Sequence, residues 1–175
     1  MHKLIAFLLL LLLAIAIAGA YGIVHNQISY TVSPEYFTKF KFEQFDLLDS
    51  ALPERIRASI IGFHAASWMG IPIGLLVGAV GLVHPGARRM LRVSLWSFVL
   101  VAVFTLFVGL LGLAYGIGQT ASVDLQEYRG WYVPSGVEDL RGFLCAGYMH
   151  NSSYLGGGLG ILVGWTFHLV IWLRT

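Results

Sequence analysis

The residues of this chain best suited to chemistry are its six histidines and nine carboxylates, and their spacing divides the histidines into two groups. His25, His64 and His150 fall near one end of long apolar runs, and Glu35, Glu43, Asp124 and Glu127 lie at the same boundaries. Imidazole and carboxylate oxygen together are the ligands of zinc, iron, manganese and copper sites. Helical bundles that bind metals draw such ligands from several facing helices. The set His25, Glu35, His64, Asp124, Glu127 and His150 is therefore a candidate transition-metal site (Zn, Fe, Mn or Cu), with redox or hydrolytic chemistry as its natural use. None of the compact signatures His-Glu-x-x-His, Glu-x-x-His or Cys-x-x-Cys is present, so the case rests on convergence alone. The plainer alternative is that these histidines bond water or carbonyls at a membrane boundary and the acids are solvated. His2, His84 and His168 fall at the opposite boundary and read as interfacial side chains.

The elements that must position these residues are apolar helices. Hydrophobic types make up 57% of the 175 residues and charged types 11%, against roughly 25% charged in a soluble globular chain. A span of about 20 apolar residues crosses about 30 Å of hydrocarbon, and four such runs occur, at about 4–24, 58–83, 93–118 and 143–173. The expected fold is an all-α integral membrane protein: one domain, residues 1–175, built as a four-transmembrane-helix bundle. The connections at about 25–57 and 119–142 would lie outside. Lys3 and the small residues Ala18-Gly19-Ala20 also permit a cleaved signal peptide in place of the first span. The apolar run continues past that point, which favours a retained helix.

Orientation follows from charge. Arg88, Arg89 and Arg92 crowd the short connection between the second and third runs without an acidic neighbour, which places it in the cytoplasm. Both termini then share that side, in the plasma membrane, the inner membrane of a bacterium. All nine acidic residues fall in the two longer connections. Within the first, Ser33-Pro34-Glu35 has the form of a helix start. The spacing of Phe37, Phe40, Phe45 and Leu48, with Lys39, Lys41 and Glu43 between them, predicts a short amphipathic helix in the interface. The alternation Phe40-Lys41-Phe42 also permits a strand.

Small residues recur along each run: Ala14, Ala18 and Gly22; Gly62, Ala66, Gly70, Gly74 and Gly78; Gly109, Gly112 and Gly116; Ser152, Gly156, Gly160 and Gly164. Such stripes let helix backbones approach closely in a bilayer. They support a second function class, a non-enzymatic scaffold or assembly subunit that binds its own copies or another membrane protein. Transport is a third, from Pro72, its neighbouring glycines and His168. The lone Cys145 excludes an intrachain disulfide, and at about 100° per residue it stands some 140° from His150 around the helix, too far for a nucleophile pair. No basic face points to nucleic acid. His64 and His150 each lie nearly opposite the stripe of their own run. A site shared between them therefore requires the second run to pack on the first and the fourth on the third.

Overall fold

The computed structural model describes residues 2–122, 128 and 130–174, and these contain helices and no strands. Asp124 and Glu127 lie outside the described residues. The elements are α1 (Lys3–Val32), α2 (Pro34–Tyr36), a π-helical turn (Phe37–Lys41), α3 (Phe42–Gln44), α4 (Glu54–Val80), a 3-10 turn (Gly81–Val83), α5 (Ala87–Ser122) and α6 (Leu140–Leu173). Four of them are long and apolar enough to cross a membrane.

Each long helix outruns its apolar stretch, because polar residues continue a helix until something stops it. α1 passes Val24 and ends only at Val32, so His25, Asn26 and Ser29 are helical rather than part of a loop. The stop is Ser33, which is extended (φ −149°, ψ 99°) ahead of Pro34, as the clash with the proline ring demands. Pro72 lies inside α4 and is exposed, on the outer surface of the bundle.

The glycine stripes fix which helices pair. α1 lies on α4 with Gly22 and Gly62 in backbone contact, and Gly70 meets Ala14 and Ile15. α5 lies on α6, where Gly109 faces Ser153, Gly112 faces Ser152, and Gly156 and Gly160 receive Thr105 and Val101. This is the pairing that a site shared by His64 and His150 would need, although His64 itself is exposed, and it uses the stripes within the chain.

Two apolar clusters close the bundle. One end, here the arginine end, is filled by Ala6, Leu10, Val77, Met90 and Phe98. At the other, acidic end, Tyr36, Phe37 and Phe42 pack on Ala58, Ile61, Phe143 and Ala146. The residues between α1 and α4 thus form several short turns whose aromatic side chains point into the bundle. Ser33 caps them, its hydroxyl accepting from the Tyr36 amide at 3.2 Å. Arg57 of α4 holds the following chain by donating to the Leu47 and Leu48 carbonyls, each at 3.0 Å.

Candidate functional site

The extra turns of α1 carry His25 into the acidic end, where it meets His150 of α6. Their rings touch edge to face with centroids 4.5 Å apart. Tyr36, delivered by α2, stacks on His150 at 4.8 Å and 28°. Ser29, one turn beyond His25, bonds His150 Nε2 at 3.2 Å. Asn26 orders the cluster. Its Nδ2 donates to the Ala58 carbonyl of α4 at 3.0 Å, which turns its oxygen toward His25 Nδ1 at 3.3 Å. A carbonyl oxygen only accepts, so Nδ1 of the neutral ring carries the proton and Nε2 keeps a free lone pair.

Below this pair lies a cavity of about 150 Å³, walled mainly by α1, α4, α5 and α6 and lined by Gly62, Ala66, Val101, Gly157 and other apolar residues. Tyr21, His25, Ser153 and His150 line it as well, with Lys41 and Gln44. Three buried polar atoms among these residues, the Tyr21 hydroxyl, His25 Nε2 and Ser153 Oγ, make no hydrogen bond of ordinary geometry, although Tyr21 and Ser153 interact with each other and the Met149 carbonyl lies near the His25 ring. Unpaired buried groups are costly, and they occur where water or a ligand completes them. Lys41 donates to Gln44 Oε1 at 2.9 Å and its ammonium stands 4.5 Å from the Phe40 ring centre. Burial pushes its pKa down to about 8. Burial likewise raises the Tyr36 phenol above its ordinary value.

Of the residues expected to ligate a metal, the structure brings together His25 and His150. His64 is exposed on α4, its nearest ring neighbour Phe45 at 6.0 Å, and it does not line the cavity. On α4 it lies about 200° around the helix from Gly62, the residue in contact with α1. The Glu35 carboxylate is engaged elsewhere. It accepts from the Asp139 amide at 2.7 Å and the Glu138 amide at 3.1 Å, and these bonds hold its pKa below the usual carboxylate range. Among the described residues no three His, Cys, Asp or Glu side chains are grouped to hold a metal ion.

A second histidine pair closes the arginine end. His84 Nε2 and His168 Nδ1 are 2.9 Å apart, and both side chains are fully buried. His84 arrives from the short turn after α4, and its pKa lies below the ordinary histidine value through burial and the nearby Arg89 and Lys3 charges. Residue spacing alone places these two as separate interfacial side chains. The structure corrects that. Comparisons with known protein families, with curated proteins and with solved structures find no match to this chain.

Proposed function

We propose that the chain is an integral membrane protein, inserted through its four apolar helices with the arginine end in the cytoplasm. Its acidic-end cavity binds a small, uncharged ring compound bearing a hydroxyl or carbonyl oxygen, such as a phenol or a quinone head. Support for the orientation is the cluster Arg88, Arg89 and Arg92. Support for the ligand is the set of three polar atoms without an ordinary hydrogen bond beside a mainly apolar cavity of about 150 Å³. An apolar cavity of about that volume holds a benzene ring. A ligand hydroxyl would donate to His25 Nε2, and a ligand carbonyl would accept from the Tyr21 hydroxyl. Apolar walls with a few converging polar groups are the usual build of a small-molecule site.

Binding of phenol and of tetramethyl-benzoquinone to the detergent-purified chain, followed by intrinsic fluorescence, tests this reading. Saturable binding is expected, weakened in Tyr21→Phe and Ser153→Ala. Toluene fits the same space without an oxygen and should bind about fivefold more weakly, the equivalent of one net hydrogen bond of about 1 kcal/mol. Absence of saturation with both oxygen-bearing probes would sink the proposal.

The contact between His25 and His150 favours a second reading, a metal site of two imidazoles with the remaining positions filled by water or substrate. Open positions of that kind are what redox and hydrolytic metal enzymes use. Metal content after reconstitution with Zn, Fe, Mn or Cu should then vanish in His25→Ala/His150→Ala and persist in His64→Ala. A wild-type protein that takes up none of the four metals removes this reading. Assembly through the glycine stripes draws less support, because those stripes are filled by the chain's own helices.

A further inference from the structure

The histidine pair at the arginine end has features that a purely structural contact would lack. His84 Nε2 and His168 Nδ1 share one hydrogen bond at 2.9 Å, while the outward nitrogens, His84 Nδ1 and His168 Nε2, are buried without partners. Ser94 Oγ of α5 is buried and unpartnered as well. Gly81 shows how close these groups are: a Cβ there would overlap Ser94 Oγ and would stand 3.5 Å from His168 Cε1. The charges around the pair are Lys3 of α1 and Arg89 of α5. Among the described residues no carboxylate pairs with either histidine.

Further along α5, Ser97 donates to the Gly164 carbonyl at 3.3 Å. Phe98, 2% exposed, and the fully buried Val77 pack beside it in the core. Phe98 also lines the acidic-end cavity. From Ser94 to Phe98 is about one helical turn, roughly 6 Å along the axis. Among the described residues, the two polar regions together contain six of the seven buried side-chain atoms without an ordinary hydrogen bond, all but Arg57 Nε. Phe98 and Val77 stand between the histidine pair and the apolar floor of the cavity, whose polar groups lie further along the bundle, Ser153 being about 22 Å from His168 along α6.

We propose that these groups form a proton path through the bundle, with the His84–His168 pair as its relay and Phe98 as its closure. A proton from water at the arginine end bonds to His84 Nδ1. The shared proton passes from His84 Nε2 to His168 Nδ1, and the proton on His168 Nε2 leaves toward Ser94 and the cavity. Each ring gains one proton and loses one. The hydrogen bond then runs in the opposite sense, so both rings must reorient before another proton follows in the same direction. Ionisable groups inside a membrane span are commonly parts of such relays. The path continues through water held at the polar part of the cavity, by Tyr21, Ser153 and His25, and needs no ligand there, so it stands apart from the ligand reading.

The full chain reconstituted into vesicles with a trapped pH dye, under a potassium–valinomycin potential, tests the proposal. Wild-type vesicles are expected to acidify slowly but faster than protein-free ones, and Phe98→Ala vesicles several-fold faster than wild type. His168→Gln keeps a hydrogen-bonding side chain but removes the relay, and it should return both to the protein-free rate. His84→Gln should do the same, so the result does not depend on one variant folding. Wild-type vesicles no more permeable than protein-free ones, or flux unchanged in both glutamine variants, would overturn the proposal.

Discussion

Gly22 of α1 and Gly62 of α4 meet backbone to backbone, so that a Cβ on either would overlap the carbonyl group of the other. This contact holds α1 against α4 next to Asn26, and both glycines line the cavity. Gly158 of α6 is its opposite case: exposed, with nothing within 4 Å of a Cβ.

Gly62→Ala should therefore separate the two helices and destabilise the protein by about 1–3 kcal/mol or more, as overpacking against rigid backbone does. Gly158→Ala should instead stabilise it by up to about 1 kcal/mol, the helix-propensity difference between the two residues. Thermal unfolding in one detergent compares the pair. Equal midpoints would mean that the helices are not held by backbone contact at Gly62.

Glu35 acts as a clamp between the two longer connections. Its folded pKa is depressed by the Asp139 and Glu138 amides, so its contribution is present above the ordinary carboxylate value, about 4.3, and is lost as pH falls through the folded value. Glu35→Ala should speed hydrogen exchange of the amides of residues 138 and 139 at neutral pH. Wild type and variant should converge in acid. Exchange that is equally slow in both at neutral pH would show that the carboxylate does not hold the start of α6.

The architecture was legible because hydrophobic runs, terminal charges and small-residue stripes are properties of the chain itself. The helix pairing agrees with what a site shared by His64 and His150 would need, but for another reason: the small residues of α1 and α4 and of α5 and α6 fit each other, while His64 stays exposed. The partner of His150 was harder to see. His25 reaches it only because α1 continues through polar residues to Val32, and apolar-run length does not report where a polar helix stops. Tyr36 and Lys41 come from turns whose inward direction depends on packing against Phe143 and Ala146. For the second pair a signal existed: His150 and His168 are 18 residues apart, about five full turns at about 3.6 residues each, hence on one face of α6. What brings His84 to that face is the 3-10 turn Gly81–Val83 that follows α4, which His84 closes by donating its amide to the Gly81 carbonyl at 3.2 Å, and the direction of that turn is not written in residue spacing.

Gly157 offers a way to fill the cavity without disturbing the helix contacts. It is buried, lines the cavity, and has nothing within 4 Å of a Cβ. Gly157→Leu should abolish phenol binding while leaving the thermal midpoint equal or higher, because buried apolar volume offsets part of what the unpaired polar atoms cost. A Leu variant that still binds phenol with wild-type affinity would place the ligand elsewhere.

Lys41 gives the clearest pH signature. Burial lowers its pKa from the model-compound value of 10.5 to about 8, so the folded state holds this proton less tightly than the unfolded state does. Stability should accordingly rise with pH between about 8 and 10.5, where the unfolded chain binds more protons than the folded one. At pH 7 both states carry the charge and the folded state bears its full desolvation cost. Lys41→Met removes that cost and keeps the apolar stem against Phe40. The variant should therefore melt above wild type at pH 7, and the gap should narrow steadily as wild type gains stability above pH 8. Loss of the Gln44 bond works against the variant at every pH and cannot produce the narrowing. A gap that stays constant from pH 7 to about 10 would mean that the ammonium is solvated at the cavity mouth.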